Sequence, residues 1–420
     1  MGNTEKRAML DDSFFSFTRT DLLIKLILLF PLTTLFQYHI GLLNKLLFFV
    51  VLVVLFCTNA VKSKPFLYMA GIGMLWLFSM AVTPLAALKL NLNMAFYYIF
   101  LVFYLVFVLT EQKKIWHLLL KNRRYIFYMV LLYTAVVTVS IFLPSSYSQV
   151  TVGGWGDNAY FMSISGSPNR VGPASLFIVV LIIFLIQTGT HRAVALFALP
   201  QLYVFLMGGS RTYFVLGMCA VVVMYYVMIP RKKWFFLSLV PLGFVGVALV
   251  LNSSMMDKFA ATFQEGLEQQ EFWRRLTNSR SVFWVEQLKL FQDTPVWKQI
   301  FGNGINFTTH RYGLWAHSDF IEILCSYGYV GLANYLVLMV VTIRTLMKTR
   351  KRHFLIKCIC VFIWFFNAFF NFFYCYFSAM LCYPILLMVI GHLDGDQNDS
   401  CVSVGPAVQT GNGQEYEEIP

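Results

Sequence analysis

Charge is what this chain has least of. Only 12% of its 420 residues are Asp, Glu, Lys or Arg, where a soluble domain carries roughly 25%. Hydrophobic residues make up 58%, and Phe alone occurs 42 times. No single soluble core buries that much apolar surface, whereas a lipid bilayer solvates it. Phosphate-cradling loops are missing too. There is no G-x-x-x-x-G-K-[ST] and no G-x-G-x-x-G, so ATP hydrolysis and dinucleotide binding find no support. The seven histidines show no H-x-x-H or H-E-x-x-H spacing, and the eight cysteines (57, 219, 325, 358, 360, 375, 382, 401) form no C-x-x-C pair. A zinc site therefore finds no support either. Most of these cysteines fall inside apolar runs and read as small buried hydrophobes. Cys358 and Cys360, two apart on a helix, point in different directions. No metal or cofactor is expected.

What the chain has instead is a series of long apolar runs. Runs of about 17–25 residues cross a bilayer as helices. About twelve occur, near 21–37, 45–61, 66–87, 93–110, 124–144, 171–188, 193–208, 212–229, 234–251, 326–343, 354–372 and 374–392. The start, MGNTEKRAMLDD, is polar, and the first run is long enough to stay as a span, so no cleavable signal peptide is expected. With the N-terminus inside, the inner segments hold Lys6, Arg7, Arg19, Lys62, Lys64, Lys113, Lys114, Lys121, Arg123, Arg124, Arg192, Arg231, Lys232, Lys233, Arg344, Lys348, Arg350, Lys351, Arg352 and Lys357. The short outer segments hold only Lys45, Lys89, Arg170 and Arg211. This asymmetry puts both termini in the cytoplasm. It also explains the net charge of +12 as an inner belt facing anionic lipid, with no need for nucleic acid.

The expected architecture is an all-α polytopic membrane protein. Residues 1–251 supply nine spans, 252–325 a long extracytoplasmic loop, 326–392 three more spans, and 393–420 a polar, disordered cytoplasmic tail. An outer loop of this length has a function or is disordered. Its EFWRRLTNSRSVFWVEQLKLF stretch carries Phe272, Val282, Val285 and Leu288 at helical spacing, which predicts short helices lying against the membrane face. A second outer loop, about 145–170, is rich in Gly and Ser.

Three stretches on this outer side carry candidate chemistry. Arg211 follows Gly208, Gly209 and Ser210 and opens a span, with Ser210 as a plausible N-cap. A cation in a first helical turn opposes the macrodipole, unless an anion sits there and is met by N–H groups, dipole and guanidinium together. The plainer reading is a snorkelling anchor. Arg280 repeats the pattern after Asn278 and Ser279, and Arg274 and Arg275 add positive potential nearby. Its plainer reading is a solvated loop charge. His317 precedes an apolar helix that Asp319 and Glu322 open as a D-x-x-E capping box. Titrating near neutrality in the loop mouth, it could take a proton from a hydroxyl, or be an ordinary polar residue. Asp319 and Glu322 are alternative bases. Gly302-x-Gly304 reads as a turn.

Taken jointly these stretches are more specific. G-S-R-T at a span start, a long outer loop with S-R-x-x-x-W, then G-x-G, then HSDFIEIL-x-x-x-G-x-x-G-L resembles the bacterial O-antigen ligase and polysaccharide polymerase superfamily. The topology match covers the chain, and the motif match covers about 208–335. The resemblance implies a GT-C type, metal-independent glycosyltransferase of the bacterial inner membrane with an extracytoplasmic active site. Its donor would be an undecaprenyl-diphosphate-linked glycan and its acceptor another glycan, with a flippase and a chain-length regulator as candidate protein partners. The diphosphate-binding arginines would map to Arg211 and Arg280, more loosely to Arg170, and the catalytic histidine to His317. Ser318 stands where many members have Asn. Trp155, Tyr160, Trp273, Trp284 and Trp315 suit stacking on sugars or an interfacial aromatic belt. The motifs look more like those of polymerases of capsule, exopolysaccharide or O-antigen repeats. The alternative is an O-antigen ligase acting on lipid A core. A transporter or flippase would instead keep ionisable groups near mid-membrane, where these spans have almost none; Lys25 and Lys357 lie near inner ends.

Overall fold

A computed structural model describes residues 3–60, 63–149, 159–229, 231–253, 256, 272–274, 277, 279–347, 353–371 and 377–394. Trp155, Arg275, Asn278, Cys375, Cys401, most of 254–278 and the tail from 395 lie outside the described residues. The described chain is helical almost throughout, as backbone in hydrocarbon must be to satisfy its own hydrogen bonds. In order come α1 (Asn3–Leu35), α2 (Gly41–Ala60), α3 (Ser63–Val82), α4 (Leu85–Leu90), α5 (Met94–Lys121) and α6 (Arg123–Ile141). A two-stranded antiparallel ribbon follows, β1 (Tyr147–Gln149) with β2 (Ala159–Phe161), pairing Tyr147 with Phe161. Then come α7 (Pro168–Gln187), α8 (Ala198–Met207), α9 (Arg211–Met228) and α10 (Lys232–Leu251). The long loop contributes α11 (Arg280–Gln292), α12 (Val296–Phe301) and α13 (Phe307–Tyr312), and the chain closes with α14 (Asp319–Met347), α15 (Phe354–Phe370) and α16 (Phe377–Gly391).

Among the described residues, eight helices are long and apolar enough to cross a membrane: α2, α3, α5, α6, α7, α9, α10 and α14. The architecture is thus that of an all-α polytopic membrane protein. The other expected runs coincide with the second half of α1 and with three shorter apolar helices, Arg192–Met207, Phe354–Phe370 and Ser378–Gly391. The polar stretch before the first run is helical as well, as part of α1.

Burial sorts the helices. α7 is apolar on every side and is buried continuously from Val171 to Ile186, packed by α1, α6, α8, α9 and α16, so it is the axis of the bundle. α10 is equally apolar, yet Phe235 is its one buried side chain, which fits a helix surrounded by lipid. Basic groups gather at the end of the bundle opposite Arg211. Arg123 Nη1 donates to the Thr188 carbonyl (2.6 Å) at the C-terminus of α7. Lys232 Nζ donates to the carbonyls of Tyr226 (2.6 Å) and Ile229 (2.8 Å) at the C-terminus of α9. Cations at helix C-termini are favoured by the macrodipole.

α15 runs antiparallel to α9. The Tyr226 hydroxyl bonds His353 Nδ1, and seven residues along each helix Cys219 and Cys360 come within electrostatic reach. Equal rise per residue carries the next step of seven to Thr212 and Asn367, so Asn367 lies level with the first turn of α9.

The long loop is docked, not loose, where it is described. After α12 the chain turns at Gly302 and runs along a break in α14: the N–H of Asn303 donates to the Cys325 carbonyl (3.0 Å) and that of Gly304 to the Ser326 carbonyl (3.3 Å). The break is at Gly328 (φ 68°, ψ −169°), which separates a short first segment carrying Asp319 and Glu322 from the longer remainder. Ile305 N–H donates to Thr83 Oγ1 (2.8 Å), and Asn306 Nδ2 donates to the Ala87 (2.9 Å) and Asn91 (3.0 Å) carbonyls, tying the loop to α3 and α4.

Candidate functional site

Arg211 is the first residue of α9, with Ser210 in the N-cap position. The Ser210 side chain makes no capping hydrogen bond. The turn before it needs its glycine. Gly209 sits at φ 64°, and a Cβ there would come within 2.2 Å of the Tyr160 ring. The β1–β2 ribbon therefore lays Tyr160 over the start of α9, where it is within electrostatic reach of Arg211. Tyr160 is buried in this packing.

Arg280 likewise opens its helix, α11. Ser279 precedes it at φ 63° and does not cap; instead Thr277 Oγ1 accepts from the Ser281 N–H (3.1 Å). One face of α11 is turned to the chain ahead of α14. Trp284 Nε1 donates to the Ala316 carbonyl (2.6 Å) and Gln287 Nε2 to the Leu314 carbonyl (3.0 Å). The Trp284 ring meets Phe369 and Phe370 at the end of α15. Val282 and Val285 face outward and are exposed.

His317 follows Ala316 at φ 50°. A left-handed conformation in a non-glycine residue costs on the order of 1–3 kcal/mol and persists where surrounding structure imposes it. The imidazole does not titrate near neutrality. Burial pushes its pKa down to about 4, and the Arg280 guanidinium pushes in the same direction. Neither burial nor a neighbour from another segment is visible in the sequence around it. At neutral pH the ring is therefore uncharged and offers a nitrogen lone pair.

Arg280 is the common member of the group. It is within electrostatic reach of Arg211 on one side and of His317 on the other. All three are half-buried. Two half-buried cations in mutual repulsion, each opening a helix, form a place where an anion is strongly favoured. All three stand at helix starts or in the loop leading to one, not in the middle of a span.

The remaining candidates are placed differently. Arg170 lies in the first turn of α7, where Nη1 donates to the Ser165 carbonyl (3.3 Å). Gly172, two residues on, abuts the Tyr213 ring, so this turn is one helix over from Arg211. Asp319 and Glu322 do not form the expected capping box. Asp319 is the first helical residue, and the Glu322 N–H bonds the Ser318 carbonyl. The fully buried Glu322 carboxylate accepts from Thr308 Oγ1 (2.7 Å), Ser326 Oγ (3.3 Å) and the Ala316 N–H. Tyr335 Oη donates to the buried Asp319 (3.4 Å). Of the candidate sugar-stacking rings, Trp273 and Trp315 are exposed, whereas Trp284 is engaged as described.

Asn367 went unnoticed in the sequence. It is fully buried at the level of Thr212, and neither side-chain polar atom has a partner in the structure. The signal was present: a lone amide in FLIKCICVFIWFFNAFF, a helix whose one charged residue is Lys357 near its start. No family model matches this chain, and none of the curated proteins matches it.

Proposed function

We propose that the chain is a membrane glycosyltransferase that joins lipid-diphosphate-linked oligosaccharide repeat units into a polysaccharide on the extracytoplasmic face. The observation that carries this reading is the convergence of Arg211, Arg280 and the uncharged His317 from three separate segments. A diphosphate leaves readily once its growing charge is met, and two guanidinium forks can meet it without a metal ion. The acceptor hydroxyl then needs positioning and a base, and a neutral imidazole beside the anion site supplies one. Attack of that hydroxyl forms the new glycosidic bond and expels the lipid diphosphate, while the hydroxyl proton passes to His317.

The placement of the charged groups at helix ends favours this enzyme over a lipid-glycan transporter, whose ionisable groups would lie near mid-membrane. The gathering of basic residues at the opposite end supports a cytoplasmic assignment for that end, and hence twelve spans with both termini inside.

The test uses purified protein in vesicles and donor extracted from cells lacking this chain, with EDTA present. A ladder of polymer is expected from wild type, and more than tenfold less from Arg211→Lys, which keeps the charge but loses the fork. Arg280→Ala should also fall by more than tenfold. Transfer only to added lipid A core would make the protein a ligase. Donor crossing the vesicle wall without any product would make it a transporter.

A further inference from the structure

We infer that one face of α11 is a splint for His317, and that Trp284 and Gln287 are positioning residues that act through it. This rests on the role given to His317 above. Arg280, Trp284 and Gln287 stand at i, i+4 and i+7, so they share a face of the helix. That face meets successive points of one non-helical stretch: Gln287 at the Leu314 carbonyl, Trp284 at the Ala316 carbonyl, and Arg280 within electrostatic reach of His317.

Ala316 is the pivot. Its carbonyl is held by Trp284, and its N–H by the Glu322 carboxylate, which Thr308 and Ser326 fix in turn. Both polar groups of the residue before His317 are thus taken by side chains of two different helices, α11 and α14. A residue so held has little freedom in ψ, and the next must take up the difference. His317 does so at φ 50°. Gln287 and Ala316 are buried, so these bonds are shielded from competition by water.

The same helix therefore carries a charge for the donor and sets the conformation of the base. Trp284 itself is wedged by Phe369 and Phe370, which fixes the direction of its N–H. Substrate need not touch Trp284 for its loss to be felt, because a displacement of about 1 Å at a reacting group costs on the order of 10²-fold in rate.

The experiment compares Trp284→Phe, which keeps a ring against Phe369 and Phe370 but loses the donor, with Gln287→Leu and His317→Gln. Single-turnover rates and donor KM are measured with the same extracted donor, and membrane-inserted protein is quantified for each. Trp284→Phe should lower the rate at least tenfold with donor KM within twofold of wild type, and Gln287→Leu should move the same way. In a His317→Gln background, Trp284→Phe should cause no further loss, since both act on one step. A Trp284→Phe rate within twofold of wild type, with His317→Gln defective, overturns the splint alone. Equal losses in both backgrounds overturn it too, by making Trp284 a support of the fold. A wild-type rate for His317→Gln removes the base and with it the reading beneath.

Discussion

An imidazole with a pKa of about 4 is a poor proton acceptor until something changes beside it. The change expected here is the donor. Its diphosphate would offset the Arg280 charge, and a neighbouring anion favours imidazolium, so the pKa of His317 rises on binding. The sign can be checked from two pH profiles. In kcat/KM, which reports the free enzyme, His317 is uncharged above about 4, so activity should hold down to that range instead of falling near 6.5. In kcat, which reports the bound enzyme, the acid limb should lie at higher pH. An acid limb near 6.5 in kcat/KM, lost in His317→Gln, would show that the free imidazole is not held down. Residue types and spacing pointed to Arg211, Arg280 and His317. They did not reveal that Arg280 sits between the other two, since that contact joins residues 37 and 69 positions apart by number.

At the scale of elements, apolar run length was enough to find the eight helices that, among the described residues, are long and apolar enough to cross a membrane, because bilayer thickness sets a length that the sequence must meet. The break in α14 was not legible, since SYGYVGL reads as unbroken apolar helix. Gly302-x-Gly304 is indeed a turn, but the backbone it docks on comes some two dozen residues later, and no local pattern announces that. These glycines give a prediction. A Cβ on Gly302 (φ 105°) would lie 2.2 Å from the Ser326 carbonyl oxygen, and one on Gly328 (φ 68°) would lie 2.4 Å from that of Ile300. Backbone cannot swing aside as a side chain can, so the penalty should exceed the on the order of 1–3 kcal/mol of left-handed strain alone. Gly302→Ala and Gly328→Ala should lower the melting temperature in detergent and the yield of inserted protein. Gly243→Ala in α10, where a Cβ meets nothing within 4 Å, is the control and should lower neither. Unchanged melting of Gly302→Ala would mean that the loop does not dock on α14 in this way.

For the whole molecule, the charge asymmetry makes the boldest statement, because sidedness decides which compartment the arginines face. Reporter fusions after residue 270 should read extracytoplasmic, and those after residue 400 cytoplasmic. Opposite readings at both points would turn the anion site to the cytoplasm and end the proposed function. The wedge of Phe369 and Phe370 behind Trp284 has a consequence in time as well as in space. A ribosome releases Arg211 first, then Arg280, then His317, and only afterwards the rings that close behind Trp284. On the proposed reading, a nascent or stalled chain holds its arginines before it holds a positioned base. The half-made protein therefore cannot spend the cell's lipid carrier, and the ability to do so arrives abruptly, near the end of synthesis.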